Sequence, residues 1–123
     1  MPYVDGFVIA VPTANREAFL EHARTFDAMM IEAGALRVVE CWGDDVPAGK
    51  ITDFPRAVLA TADETVAFSW VEWPDKETRN RVHAEMERKM KSGEIPAGTT
   101  GMPFDGKRMI FGGFVPVLDL GER

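Results

Sequence analysis

The chain has a single cysteine in 123 residues, so no internal disulfide can hold it together; Cys41 lies in an apolar alternating stretch where a free thiol is expected to pack as core. Long apolar runs are missing as well: none approaches the roughly 20 residues that a membrane-spanning helix needs. Basic residues are outnumbered, 14 Lys and Arg against 20 Asp and Glu, for a net charge of -6. That balance disfavours phosphate backbones, whose nonspecific capture depends on clustered Lys and Arg. The one basic-rich stretch, ETRNRVHAEMERKMK, interleaves its cations with glutamates and reads as a solvated helix face. Neither a nucleic acid partner nor a membrane is expected. A basic leader is absent too. MPYVDGFVIAV carries Asp5 among its apolar residues and reads as a first strand, not a signal peptide, which makes the cytoplasm the simplest expected address.

What remains is 46% hydrophobic and 28% charged, ordinary for a globular chain, and the length fits one domain over residues 1–123. Tyr3 to Val11 is almost continuously apolar and stops at Pro12, as a strand buried on both faces would. From about Asn15 the period changes: Phe19, Ala23, Phe26, Met30 and Ala33 form one helical stripe, with Asn15 or Thr13 to cap it and Gly34 to end it. Leu36 to Trp42 alternates again, placing Val38 and Glu40 on one side and Val39 and Cys41 on the other. Gly43 to Pro55 is a long polar loop, and Arg56 to Ala62 reads as a short extended piece. Val66 to Trp73 is a third strand; Asp75 caps a second helix through about Lys91, with Val82, Met86 and Met90 as its stripe. The loop EIPAGTTGMPFDG then leads into a last strand, Arg108 to Leu118, where Pro116 requires a sheet edge or a bulge.

The order β-α-β-β-α-β predicts an α+β fold of ferredoxin-like topology, an antiparallel sheet with strands one and three central and helices on one face. Phe7, Phe68, Trp70 and Phe111 are read as sharing the other face. Such an apolar patch is too large for a monomer surface, so a homodimer packed sheet on sheet is expected.

The runs YVDGF (Tyr3 to Phe7), GDDVPAGK (Gly43 to Lys50), FPRAV (Phe54 to Val58), ETVAFSW (Glu64 to Trp70) and MPFDGKRMIFGGF (Met102 to Phe114) together resemble the small bacterial family of the domain of unknown function 1428, DUF1428. The resemblance spans nearly the whole chain. It implies a dimeric α/β barrel, related in architecture to small monooxygenases and haem-degrading enzymes that work inside such barrels. It brings no established activity.

Gly43 to Lys50 fails as a phosphate loop, because Asp44 stands at the first glycine position and Ile51 follows the lysine. Asp44, Asp45 and Asp53 lack the spacing of a calcium loop. His83-Ala84-Glu85 begins a zinc deaminase signature that no downstream cysteine pair completes. No metal or cofactor is therefore called for. His22 and His83 each flank a helical stripe, where an imidazole could reach a cavity between helix and sheet or simply find a local partner. Asp5, a carboxylate in a central strand, needs a cation, hydrogen-bond donors or a raised pKa; Arg56 is the preferred partner over Lys50 because its planar fork grips a carboxylate with two bonds. Asp105 and Gly106 supply a turn that could place Arg108 over an anionic group.

Two functional readings follow. The first is a dimeric small-molecule-binding barrel for a small apolar or aromatic ligand, with Phe7, Phe26 and Trp70 lining an apolar cavity and Asp5, His22, Arg56, Asp105 and Arg108 as polar handles; its enzymatic form would be cofactor-independent monooxygenase chemistry. The alternative is a noncatalytic, stress-associated scaffold for another protein. Whether the chain is an enzyme stays open at this level.

Overall fold

The computed structural model describes residues 1–94 and 102–122. Its strands are β1 (Tyr3–Pro12), β2 (Arg37–Trp42), β3 (Glu64–Trp73) and β4 (Ile110–Phe114), and its helices are α1 (Arg16–Ala33), α2 (Phe54–Ala57) and α3 (Lys76–Ser92). The strands form one sheet in the order β2-β3-β1-β4 with every neighbouring pair antiparallel. The two central strands are the longest and most apolar, as strands flanked on both sides should be. The sheet is open, so the closed barrel implied by the resemblance is not formed within one chain.

Local chemistry sets most element ends. Asp75 caps α3 by accepting a hydrogen bond from the Thr78 backbone N–H at 2.7 Å. Gly34 (φ 135°) and Gly93 (φ 81°) end α1 and α3 at positive φ, where a side chain would be strained. The start of α1 corrects the expected cap: Asn15 does not cap its helix but donates through Nδ2 to the Pro103 carbonyl at 3.0 Å, tying α1 to the segment before β4. Thr13 instead pairs its hydroxyl with that of Thr65 at 2.7 Å.

Three further expectations are corrected. Arg56 to Ala62 is not extended: Asp53 accepts from the Arg56 N–H at 2.8 Å and Pro55 sits in the first turn, which together nucleate α2. The last strand is shorter than Arg108 to Leu118, because Gly106–Arg108 winds into a 3-10 turn and pairing stops at Phe114, before Pro116, which cannot donate to a ladder. Cys41 is half-buried opposite Phe68 and is not core. The first part of the loop before β4, residues 95–101, lies outside the described residues.

Pairing register also divides the aromatic set. Phe7 stands opposite Ser69 and Phe111, whereas Phe68 stands opposite Val8, and Trp70 opposite Gly6. Directly paired residues share a face, so Phe7 and Phe111 lie on the helix side while Phe68 and Trp70 lie on the open side. Alternation within a strand yields two sets of side chains; only the pairing between strands says which set faces the helices.

The helix side carries most of the core: Tyr3, Val71, Trp73, Val82 and Met86 at one end and Ile9, Val11, Phe19 and Ala67 at the other. On the open side the long loop folds back over one end, where Val58, 1% exposed, seals Ala10 and Val66, and Phe54 meets the Phe68 ring edge-on at 5.9 Å. Burying one such aliphatic side chain stabilises by about 1.5–3 kcal/mol. Gly113 makes room for the Tyr3 ring: a Cβ there would lie 2.3 Å from the tyrosine oxygen and 2.7 Å from Cε2. Gly113→Ala is expected to destabilise by about 1–3 kcal/mol, read as a lower urea midpoint at unchanged slope; an unchanged midpoint would show that the ring moves aside freely.

Candidate functional site

On the helix side one row of paired residues crosses all four strands: Glu40 on β2, Ser69 on β3, Phe7 on β1 and Phe111 on β4. Its β2 end is polar and its β4 end is aromatic, with Phe7 and Phe111 stacked at 6.2 Å between centroids. Helix α1 supplies Asp27, which hydrogen-bonds Glu40, while Ser69 hydrogen-bonds the same carboxyl. Two carboxyl groups bond each other only when one keeps its proton. Burial, followed by the hydrogen bond and negative charge of Asp27, pushes the Glu40 carboxyl up to about 8, above the range in which glutamate ordinarily loses its proton. Burial raises Asp27 as well, opposed by its bond to Glu40 and by the electrostatic pull of nearby His22. Glu40 Oε1 is buried without a hydrogen-bond partner among the described residues.

His22 stands on α1 between two aromatic rings, Phe26 at 4.9 Å and Phe104 at 5.9 Å. Burial lowers its pKa against the opposing pull of Asp27, which favours a neutral imidazole. Phe104 also packs on Phe19 at 5.9 Å, so the segment before β4 closes over the first half of α1. The seam thus combines a protonated carboxyl, a second carboxyl, a hydroxyl and a neutral imidazole with aromatic walls. That set can donate to one oxygen and accept from another without a metal.

Asp5 belongs to a different cluster. It is 2% exposed and accepts hydrogen bonds from Trp73 Nε1 at 2.9 Å and from Arg79 Nη2 at 2.8 Å and Nε at 3.1 Å, with His83 Nε2 at 3.0 Å. Burial alone would raise this carboxyl, but the hydrogen bonds from His83, Arg79 and Trp73 outweigh it and hold the group at about 2. Arg79 also lies over the Tyr3 ring, 5.3 Å from its centroid. The expected pairing of Asp5 with Arg56 is therefore corrected: β1 begins beside the first turns of α3, and Arg79 supplies the fork. Arg56 instead donates to the backbone carbonyls of Gly49 and Ile51 and pairs with Asp53 at 3.2 Å, holding its own loop closed.

Arg108 is committed likewise. It grips Glu64 through Nη1 at 2.8 Å and Nη2 at 2.6 Å, donates to the Leu59 carbonyl at 2.8 Å, and meets Asp105 at 3.1 Å. It secures Leu59, whose φ of 54° is rare for a branched residue, and does not stand over an open anion site. Asp105 accepts from the Lys107 N–H at 3.0 Å and closes the turn. Trp70 lies on the open face, its Nε1 donating to Glu72 at 2.9 Å. A groove of about 660 Å3 runs along that face, lined by Val4, Val8, Phe68, Trp70, Ile110 and Phe114.

Of the residues singled out from sequence, Phe7, His22 and Phe26 border the helix-side seam, Trp70 the open-face groove, and Asp5, Arg56, Asp105 and Arg108 sit in ion-pair networks of the framework. Asp27, Glu40 and Ser69 were missed. The available signal was Glu40 itself, a carboxylate in the same alternation phase as Val38 and Trp42, which turn toward the helices. Among the described residues no cluster of three or more His, Cys, Asp or Glu could hold a metal ion, and no helix is long and apolar enough to cross a membrane.

This strand order, with two long helices on one face of an open antiparallel sheet, defines a ferredoxin-like α+β protein. The family model described as protein of unknown function (DUF1428) matches residues 2–106, and the chain belongs to that family. It is similar to the uncharacterized protein YbaA of Escherichia coli K12, 49% identical over 119 residues that span 97% of this chain and 99% of the relative; YbaA of Shigella flexneri matches equally. Among solved structures, a dimeric ferredoxin-like protein from an uncultured marine organism superposes with a TM-score of 0.62 at 10% identity, covering 98% of this chain and 100% of the other.

Proposed function

We propose that this protein is a homodimer that binds a small, flat, mostly apolar molecule carrying one oxygen function at the helix-side seam of each protomer. The observation that carries this reading is the transverse row itself: Glu40 and Ser69 form a polar end with an unpartnered buried oxygen, and Phe7 and Phe111 form an aromatic end, under Phe26 and His22 of α1. Binding sites of this kind are mostly apolar with a few convergent polar groups. Asp27 or His22 accepts a proton from the ligand, and Glu40, which keeps its own, hydrogen-bonds the oxyanion that results, so deprotonation of a phenol or an enolisable carbonyl is the chemistry this set supports. Cofactor-independent oxygenation would begin from the electron-rich anion so formed. The dimer is supported by the exposed apolar face bearing Phe68, Ile110 and Phe114, and by the dimeric state of the structural neighbour.

Thermal shift with p-cresol, p-hydroxybenzoate and p-benzoquinone, against p-xylene as the oxygen-free control, tests the site. At least one oxygen-bearing compound is expected to raise Tm with concentration, and Glu40→Leu to weaken that binding about tenfold, the loss of one hydrogen bond. A flat panel, or an equal response to p-xylene, overturns the reading.

A further inference from the structure

From Ile110 to Leu120 the chain carries seven large apolar side chains, Ile110, Phe111, Phe114, Val115, Val117, Leu118 and Leu120, and each is at least 45% exposed. Single exposed apolar residues are ordinary, but a continuous run of this kind is not. The last three are the most extreme: Val117 is 93% exposed, Leu118 76% and Leu120 82%. Pro116 cannot extend the ladder of β4, so the backbone leaves its own sheet at Phe114. Pro116 and Leu118 nevertheless stand at the rim of the open-face groove, so this segment emerges beside an apolar surface that its own side chains do not fill.

We infer that residues 115–120 form an arm that crosses to a second copy of this chain and seats its apolar side chains in the groove on that copy's open sheet face, reciprocally. This rests on the homodimer proposed above and goes beyond it by naming the segment that closes the interface. The occupant is a second copy because arm and groove adjoin on one chain, so a two-fold axis beside Phe114 brings each arm to the other's groove. Their chemistry also matches: apart from Asp119 the arm is apolar, and the groove floor is Val4, Val8, Phe68 and Trp70, with the Phe114 ring packed over Gly6. The four apolar side chains of the arm, each more than half exposed, together with Ile110 and Phe114 of the groove wall supply a large part of the about 800 Å2 that one partner brings to a stable interface.

Sedimentation and mapped cross-linking decide it. Val117→Asp with Leu120→Asp alters only exposed positions and should leave the circular dichroism spectrum unchanged while raising the dimer dissociation constant at least tenfold. A benzophenone on Val117→Cys, in a Cys41→Ser background and in a mixture of 14N and 15N protein, should give mixed-isotope cross-links to peptides within residues 64–73. A dimer whose cross-links stay within one chain, or whose dissociation constant ignores the double substitution, overturns the arm while leaving the dimer intact. A monomer at all concentrations overturns both.

Discussion

Asp5→Ala is expected to lower the unfolding free energy by about 3–5 kcal/mol at pH 7, the largest effect of any single substitution considered. The loss goes beyond one ion pair. Arg79, a part-buried cation, loses the carboxylate it grips with two nitrogens, and the buried Trp73 Nε1–H and the His83 imidazole lose their acceptor at the same moment. Asp5→Leu combined with Arg79→Leu should be less damaging than the two single changes added together, since it removes both charges. The carboxyl is held at about 2, below its ordinary 3.8, so the unfolded chain takes up a proton more readily than the folded one. Its stabilising contribution is therefore complete above about pH 4 and disappears as the pH falls through about 2, a change of roughly 2 kcal/mol. Urea unfolding between pH 2 and pH 7 should show this acid limb in the wild-type protein and a flattened limb in Asp5→Ala. Equal midpoints at pH 7 would sink the account.

Glu40→Gln should act in the opposite direction and at the opposite end of the pH scale. Because the Glu40 carboxyl is raised from 4.5 to about 8, the folded state holds a proton that the unfolded state releases, and stability must fall as pH rises through that interval. Glutamine reproduces the neutral group: it keeps a donor for Asp27 and leaves nothing at position 40 to titrate. The variant is expected to match wild type near pH 5 and to exceed it by about 3 kcal/mol at pH 8. Parallel pH profiles would mean that Glu40 is ionised in the folded state and that no proton is shared with Asp27.

Much of the framework is legible in the amino-acid sequence. The order of the four strands and two long helices, the Asp75 cap and the Gly34 stop all follow from local rules that act over a few residues. The family followed from long motif runs. What could not be read was set by contacts between distant segments. Asp5 and Arg79 are 74 residues apart and meet only because β1 begins beside α3. Arg56, a good fork in search of a carboxylate, is taken by carbonyls five and seven residues away before anything distant can compete. The faces of Phe7 and Phe68 depend on pairing register, which no single strand encodes. Glu40 shares its alternation set with Val38, yet its meaning requires Asp27, brought opposite by the packing of α1 on β2.

The loop that folds back through Val58 has a further consequence. By sealing Ala10 and Val66 it withdraws one end of the open face from outside contact, leaving only the half near Val4, Trp70 and Phe114 available. Two such faces can meet only where both are bare, so they cannot slide freely along their strands. In the proposed homodimer the loop would act as a mechanical stop: it would limit how far one sheet can be displaced over the other, so that a surface segment with little regular structure of its own sets their alignment.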